Sequence, residues 1–143
     1  MLRKLTLAQE IPQAADAAWS VIGDFSNMRK WAPIVEAEST EQTAEGPVRT
    51  LTLRGGRTVR ELRADVGPHH YTYTLERPDM KVYRSTVAVN PAGGRTMIEL
   101  TVEFEPAEGV DANEATENFL KFLSGNLKAM GRAVASAETV PAG

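Results

Sequence analysis

Between Ile34 and Phe104 the chain offers six short stretches rich in β-branched and aromatic residues, and every gap between them carries glycine, proline or both. The candidates are Ile34–Thr40, Val48–Arg54, Thr58–Val66, His70–Leu75, Val82–Asn90 and Thr96–Phe104. The gaps hold Glu-Gly-Pro, Gly-Gly, Gly-Pro, Pro-Asp and Pro-Ala-Gly-Gly, which is turn chemistry. A parallel crossover needs about a dozen residues or more, and these gaps are shorter. The spacing therefore predicts an antiparallel meander, and no segment from Pro33 to Pro106 reads as helix.

The flanks complete the pattern. "LRKLTLAQEI" places Leu2, Leu5 and Leu7 among polar residues and reads as a first strand ending at Pro12. Ala15, Ala18, Trp19 and Ile22 then recur at helical spacing, Gly23-Asp24 breaks that helix, and a second short helix around Asn27 to Trp31 stops at Pro33. After the strands, "DANEATENFLKFLSGNLKAMGRAVASAE" opens on Asp111 with Glu114 three residues later, a capping-box-like start. On its wheel Phe119, Phe122, Leu123, Met130 and Ala133 share a face, with Asn126 about 20° from Phe119. The order is strand, two short helices, six strands, one long helix: an α+β chain of one domain over residues 1–143. A seven-stranded antiparallel sheet with one long helix to cover it must curl around that helix, which leaves a cavity between them. Trp19 and Trp31 are expected to close one end of the sheet. Both serve as core aromatics on that reading, with Trp31, beside the helix break, at the cavity's border.

Composition removes several classes of function. Cysteine is absent, so thiolate ligands and thiol nucleophiles are excluded. The formal net charge of −3 argues against a nucleic-acid partner, which demands a basic surface. No apolar run reaches the roughly 20 residues of a membrane span, and the start has no signal-peptide pattern, so a cytoplasmic location is expected. His69 and His70 are the only histidines, and neighbours on a strand face opposite ways, so no metal site and no cofactor are expected. Gly55-Gly56 precedes no helix and reads as a hairpin turn, not a phosphate cradle. Arg49, Arg54, Arg57, Arg60 and Arg63 thread two consecutive strands and alternate with Glu61 and Asp65, the pattern of a solvated face; the alternative turns Arg60 or Arg63 toward an acidic ligand.

"IPQAADAAWSVIGDFSNMRKWAP", the stretch from "GPVRTLTLRGG" through "VYRSTVAVNPAGGRTMIELTVEFEP", and "GNLKAM" in the last helix resemble the START-like, birch-pollen-allergen-like superfamily (SRPBCC), in its polyketide cyclase/dehydrase branch. The resemblance implies a helix-grip fold, in which the seven-stranded sheet wraps the C-terminal helix. It is strong for fold and weak for activity, since the superfamily includes carriers, receptors, cyclases and lyases. The same region is similar to the plant abscisic-acid receptors, and that similarity places Tyr83, Ser85, Glu99 and Asn126 on the cavity side, with Tyr71 and Tyr73 added by ungapped counting and Glu61 as the match to the cavity glutamate. The receptors' gate loop is replaced here by Gly55-Gly56-Arg57, so no receptor-type latch is implied.

Two readings of "MIELTVEF" oppose each other. Simple alternation buries Ile98, Leu100, Val102 and Phe104 and exposes Glu99; the resemblance turns Glu99 inward. The inward reading gathers Tyr71, Tyr73, Tyr83, Ser85, Glu99 and Asn126 around one volume. It would leave leucine and phenylalanine on the convex face, a reason to expect a homodimer. Two functions follow. The first is binding of a small apolar or amphipathic ligand by Trp31, Tyr71, Tyr73, Tyr83, Ser85, Glu99, Phe122 and Asn126. The second is a cyclase, dehydratase or lyase in which a desolvated Glu99 or Glu61 takes a proton while Tyr83 steadies an enolate.

Overall fold

The computed structural model describes residues 1–139. The chain order is β1 (Arg3–Ile11), α1 (Ala15–Ile22), a 3-10 turn at Met28–Lys30, β2 (Val35–Thr43), β3 (Gly46–Leu53), β4 (Thr58–Gly67), β5 (His70–Thr74), β6 (Met80–Ala92), β7 (Arg95–Pro106) and α2 (Ala112–Thr139). The strands form one seven-stranded sheet in the order β1-β7-β6-β5-β4-β3-β2. Every neighbouring pair is antiparallel. This is the helix-grip architecture: the meander runs on from β2 to β7, and β1 closes onto the last strand. The second short helix shrinks to the single 3-10 turn.

Register breaks at Val35/Ala37, Arg63/Asp65 and Met80/Val82 interrupt the ladder. Such irregularities bend strands and raise local twist, which a sheet curling around a helix requires. Side chains alternate as the two-residue period demands. Tyr83, Ser85, Val87 and Val89 of β6 are buried opposite Phe104, Val102, Leu100 and Ile98 of β7. On the other face a row of threonines crosses four strands, with Thr6 bonded to Thr101 at 3.0 Å and Thr72 to Thr86 at 2.9 Å. The apolar side chains of β7 thus lie inside, and the premise for a covering homodimer falls away.

Asp111 caps α2, its Oδ1 accepting from the amides of Asn113 at 2.9 Å and Glu114 at 3.2 Å. Ala115, Phe119, Leu123, Leu127, Met130 and Val134 make its buried stripe, and the Phe119 ring lies 4.7 Å from that of Phe104. The expectation for Phe122 is corrected: its side chain is 46% exposed. At 100° per residue, Phe122 projects about 90° from the centre of that stripe, which is displaced from the face the wheel suggested.

The segment before β2 is tied down from a distance. The Glu38 carboxylate on β2 accepts from the backbone amides of Met28 and Arg29, both at 2.9 Å, and so caps the 3-10 turn. Trp31, at the end of that turn, and Ala32 are buried in consequence. At Gly23 a Cβ would run into the Trp19 ring, so only glycine lets α1 end against its own tryptophan.

Candidate functional site

The most buried charged group in the interior is Arg49, which is fully inaccessible. It stands on β3 in the same alternation as Leu51, so its side chain follows the leucine inward. Glu61 is its cross-strand partner on β4, and its carboxylate accepts from the Arg49 Nε at 2.6 Å. Arg49 Nη1 donates to the carbonyl of Phe25 at 3.2 Å and to the Tyr71 hydroxyl at 3.4 Å. The guanidinium lies over the Phe25 ring at 4.3 Å, with Tyr73 at 5.0 Å and Tyr71 at 5.5 Å. A buried charge is tolerated where it is paired and hydrogen-bonded, and three aromatic faces add cation–π attraction. Sequence reading had put Arg49 on a solvated face and missed it as a functional candidate.

This cluster borders a small interior cavity of about 10 Å³, between the sheet and α2. Trp31, Tyr71, Tyr73, Ser85, Phe122 and Asn126 all line it, joined by Arg49, Met28, Val87, Leu100, Leu123 and Met130. The walls are otherwise apolar, and the volume suits about one water molecule. The cavity expected from the wrapped sheet is present but small: the interior side chains have packed almost shut. Phe122 is both a lining residue and half exposed, so its ring forms part of the wall between this cavity and solvent.

Tyr83 does not line this cavity. It lines a wider open groove of about 1140 Å³, together with Val59, Leu75, Arg77 and Asp79. The groove forms because β5 pairs with β4 only as far as Leu62–Thr74, leaving the first residues of β4 without that neighbour. Arg77 holds Asp79 through two hydrogen bonds, at 2.9 and 2.7 Å, and lies 5.3 Å from the ring centres of both Tyr83 and Phe119. Tyr83 interacts with Tyr73 and Ser85, both of which line the cavity, and so connects the groove to the cavity's polar groups.

Glu99 is corrected. Its neighbours Ile98 and Leu100 are buried, and it sits on the opposite, half-exposed face between Ala8 and Ala88. The strand alternates without a bulge there, so the apolar residues took the inside and the carboxylate the outside. Arg60 is exposed and meets Glu41 at 3.4 Å, while Arg63 lies 5.8 Å from the Phe25 ring. His69 and His70 bond Asp16 and Asp65 at 2.7 and 3.0 Å. No group of three or more metal-ligating side chains occurs among the described residues. No helix among them is long and apolar enough to cross a membrane.

Burial sets the proton affinities inside. It pushes the Glu61 carboxyl above its ordinary range, and Arg49 beside it offsets only part of that rise. It raises Tyr71, Tyr83 and, most strongly, Tyr73, so these phenols are neutral hydroxyls that donate and accept. The Arg49 guanidinium, the Tyr71, Tyr73 and Ser85 hydroxyls and the Asn126 amide face one otherwise apolar cavity, and the desolvated Glu61 carboxylate stands behind Arg49.

Comparison with known proteins agrees with this architecture. A family model described as polyketide cyclase / dehydrase and lipid transport matches residues 3–135. Among proteins of curated function, none matches the sequence. The chain is similar to the solved structure of XoxI from Bacillus cereus at 28% identity, over 96% of this chain and 99% of that one, with a TM-score of 0.80. It is similar in fold to a START superfamily protein from Mycobacterium smegmatis, at 15% identity over 94% and 98% of the two chains and a TM-score of 0.77. It also matches the di-domain ARO/CYC StfQ of the steffimycin biosynthetic pathway, at 14% identity and a TM-score of 0.73, covering 93% of this chain and 49% of StfQ.

Proposed function

Because the chain belongs to the polyketide cyclase/dehydrase and lipid transport family of the START-like superfamily, we propose that it binds a small, largely apolar molecule between the curved sheet and α2. The observation that carries this reading is the polar cluster of Arg49, Glu61, Tyr71, Tyr73 and Ser85, buried beside a cavity whose other walls, Asn126 apart, are apolar. Burying that many polar groups in a small domain costs free energy that a leucine-filled interior would avoid. A ligand with one or two polar atoms and an apolar body suits such a lining. With about 10 Å³ available, admission of any ligand requires the wall to give way, and the half-exposed Phe122 is one part of that wall.

The test is native mass spectrometry of gently purified protein, before and after exposure to a cell lipid and metabolite extract. Binding predicts a small-molecule adduct that is lost in Ser85→Phe, which fills the cavity. A protein that stays at its bare mass in both conditions overturns the proposal.

A second reading, a cyclase, dehydratase or lyase acting on such a molecule, is favoured by Glu61, since a carboxyl raised by burial and one side chain away from the cavity, behind Arg49, is suited to accepting a proton relayed from it. Tyr83 lies outside the cavity, so the neutral Tyr73 hydroxyl, which lines it, would steady the developing enolate. Glu99 has no part in it. Glu61→Gln, which keeps an acceptor for Arg49 but strands its charge, would then lose turnover by about a hundredfold or more at a temperature where denaturant unfolding shows the variant still folded and ligand-bound.

A further inference from the structure

We propose that Trp31 is the residue that selects the ligand's polar end, and that this end is an uncharged hydrogen-bond acceptor such as a ketone, quinone or ester carbonyl. The inference rests on the binding reading above and specifies the ligand class of that cavity. Trp31 is only 5% exposed and lines the cavity, and its Nε1–H is a buried donor with no hydrogen-bond partner among the described residues. Buried donors are satisfied in nearly all native interiors, and one left unmade costs more than the bond itself would contribute. An indole N–H can only donate. The Glu38 carboxylate fixes the turn that ends at Trp31, so the ring is held in place by its backbone as well as by packing.

The charges around the cavity narrow the class. Arg49 is matched by Glu61 at 2.6 Å, so the pair brings no net charge to an incoming group. A carboxylate ligand would be desolvated near Glu61 with no unpaired cation lining the cavity to receive it. An ammonium would find neutral hydroxyl and amide acceptors in Tyr71, Tyr73, Ser85 and Asn126, but it would bring its charge against the Arg49 guanidinium and leave the indole N–H unpaired. A pure hydrocarbon would enter the apolar part and leave the indole N–H as it is. A neutral acceptor oxygen alone improves on all three.

Three probes with one ring separate the possibilities: acetophenone, ethylbenzene and benzoate. Affinities are measured by titration for the natural protein and for Trp31→Phe. The expected result is that Trp31→Phe weakens acetophenone by about tenfold and leaves ethylbenzene unchanged or tighter, with benzoate weakest on the natural protein. In Trp19→Phe, which keeps Trp31 as the sole indole, acetophenone should move the indole N–H proton resonance downfield and ethylbenzene should not. That second measurement decides the matter if Trp31→Phe fails to fold. If acetophenone and ethylbenzene both bind with the indole proton unmoved and equal losses in Trp31→Phe, the Trp31 assignment is overturned and the cavity reading stands. Benzoate binding tightest also overturns the assignment. If no probe binds, the cavity reading falls and takes the assignment with it.

Discussion

Arg49 and Glu61 show how a single cross-strand pair can hold an interior together without being its best possible filling. Neither side chain can be removed alone without stranding its partner in an apolar surround, where an uncompensated charge is the expensive outcome. Arg49→Met should therefore destabilise by about 3–5 kcal/mol in denaturant unfolding, and adding Glu61→Leu should recover most of that loss. A double variant no more stable than the single one would mean that the aromatic faces around the guanidinium, and not its ionic partner, hold the site. Arg49 was readable in principle: it shares the alternation of Leu51 on a strand of clear period. Five arginines in two strands masked it, because as a group they look like surface. Glu99 teaches the converse, since plain alternation placed it correctly and the turn inward came from resemblance alone. A strand without a bulge cannot turn both Leu100 and Glu99 toward the same face.

At the scale of elements, the strands and their order were legible because each turn is encoded by the residues within it. Gly55 and Gly56, both with positive φ, make the β3–β4 hairpin from local chemistry alone. What joins elements far apart in sequence was not legible, and the 3-10 turn is the example. Its cap comes from Glu38, ten residues downstream of Met28, in a strand whose sequence announces nothing of the kind. Glu38→Ala should cost about 0.5–2 kcal/mol, as other lost caps do, and should broaden the Trp31 indole resonance in a Trp19→Phe background. A sharp, unmoved resonance would show that packing alone fixes the ring. On α2 the period was clear, but the centre of its buried stripe depends on how the sheet curls, and Phe122 fell outside it. Phe119→Ala is accordingly expected to lose about 3–5 kcal/mol. Phe122→Ala should lose under about 1 kcal/mol, as most partly exposed substitutions do. Paired denaturation curves measure both, and equal losses would put Phe122 back against the sheet.

For the whole molecule, one helix gripped by one sheet follows from the count of elements, whereas the size of the space between them does not. That volume is a small difference between large quantities, the enclosed space and the side chains filling it, and here the filling leaves about 10 Å³. The same dense interior makes proton binding a property of the entire fold. All three tyrosines of the chain are buried, and burial raises each of their pKa values, Tyr73 most of all. An unfolded chain would ionise them near the ordinary value of about 10. The folded state thus holds protons that the unfolded state releases, and the stability this contributes is complete below about pH 10 and lost as pH rises toward the raised values. Alkaline titration followed by tyrosinate absorbance should therefore show no phenol with an ordinary midpoint. The three should ionise together, in a steep step that coincides with loss of far-ultraviolet circular dichroism. A third of the absorbance appearing near pH 10, with the circular dichroism unchanged, would identify a tyrosine in contact with water. Tyr83, which lines the open groove, would be the first to test by Tyr83→Phe. Its ionisation in the folded state would mean that the groove reaches further into the interior than the packing of Arg77 over Tyr83 and Phe119 allows.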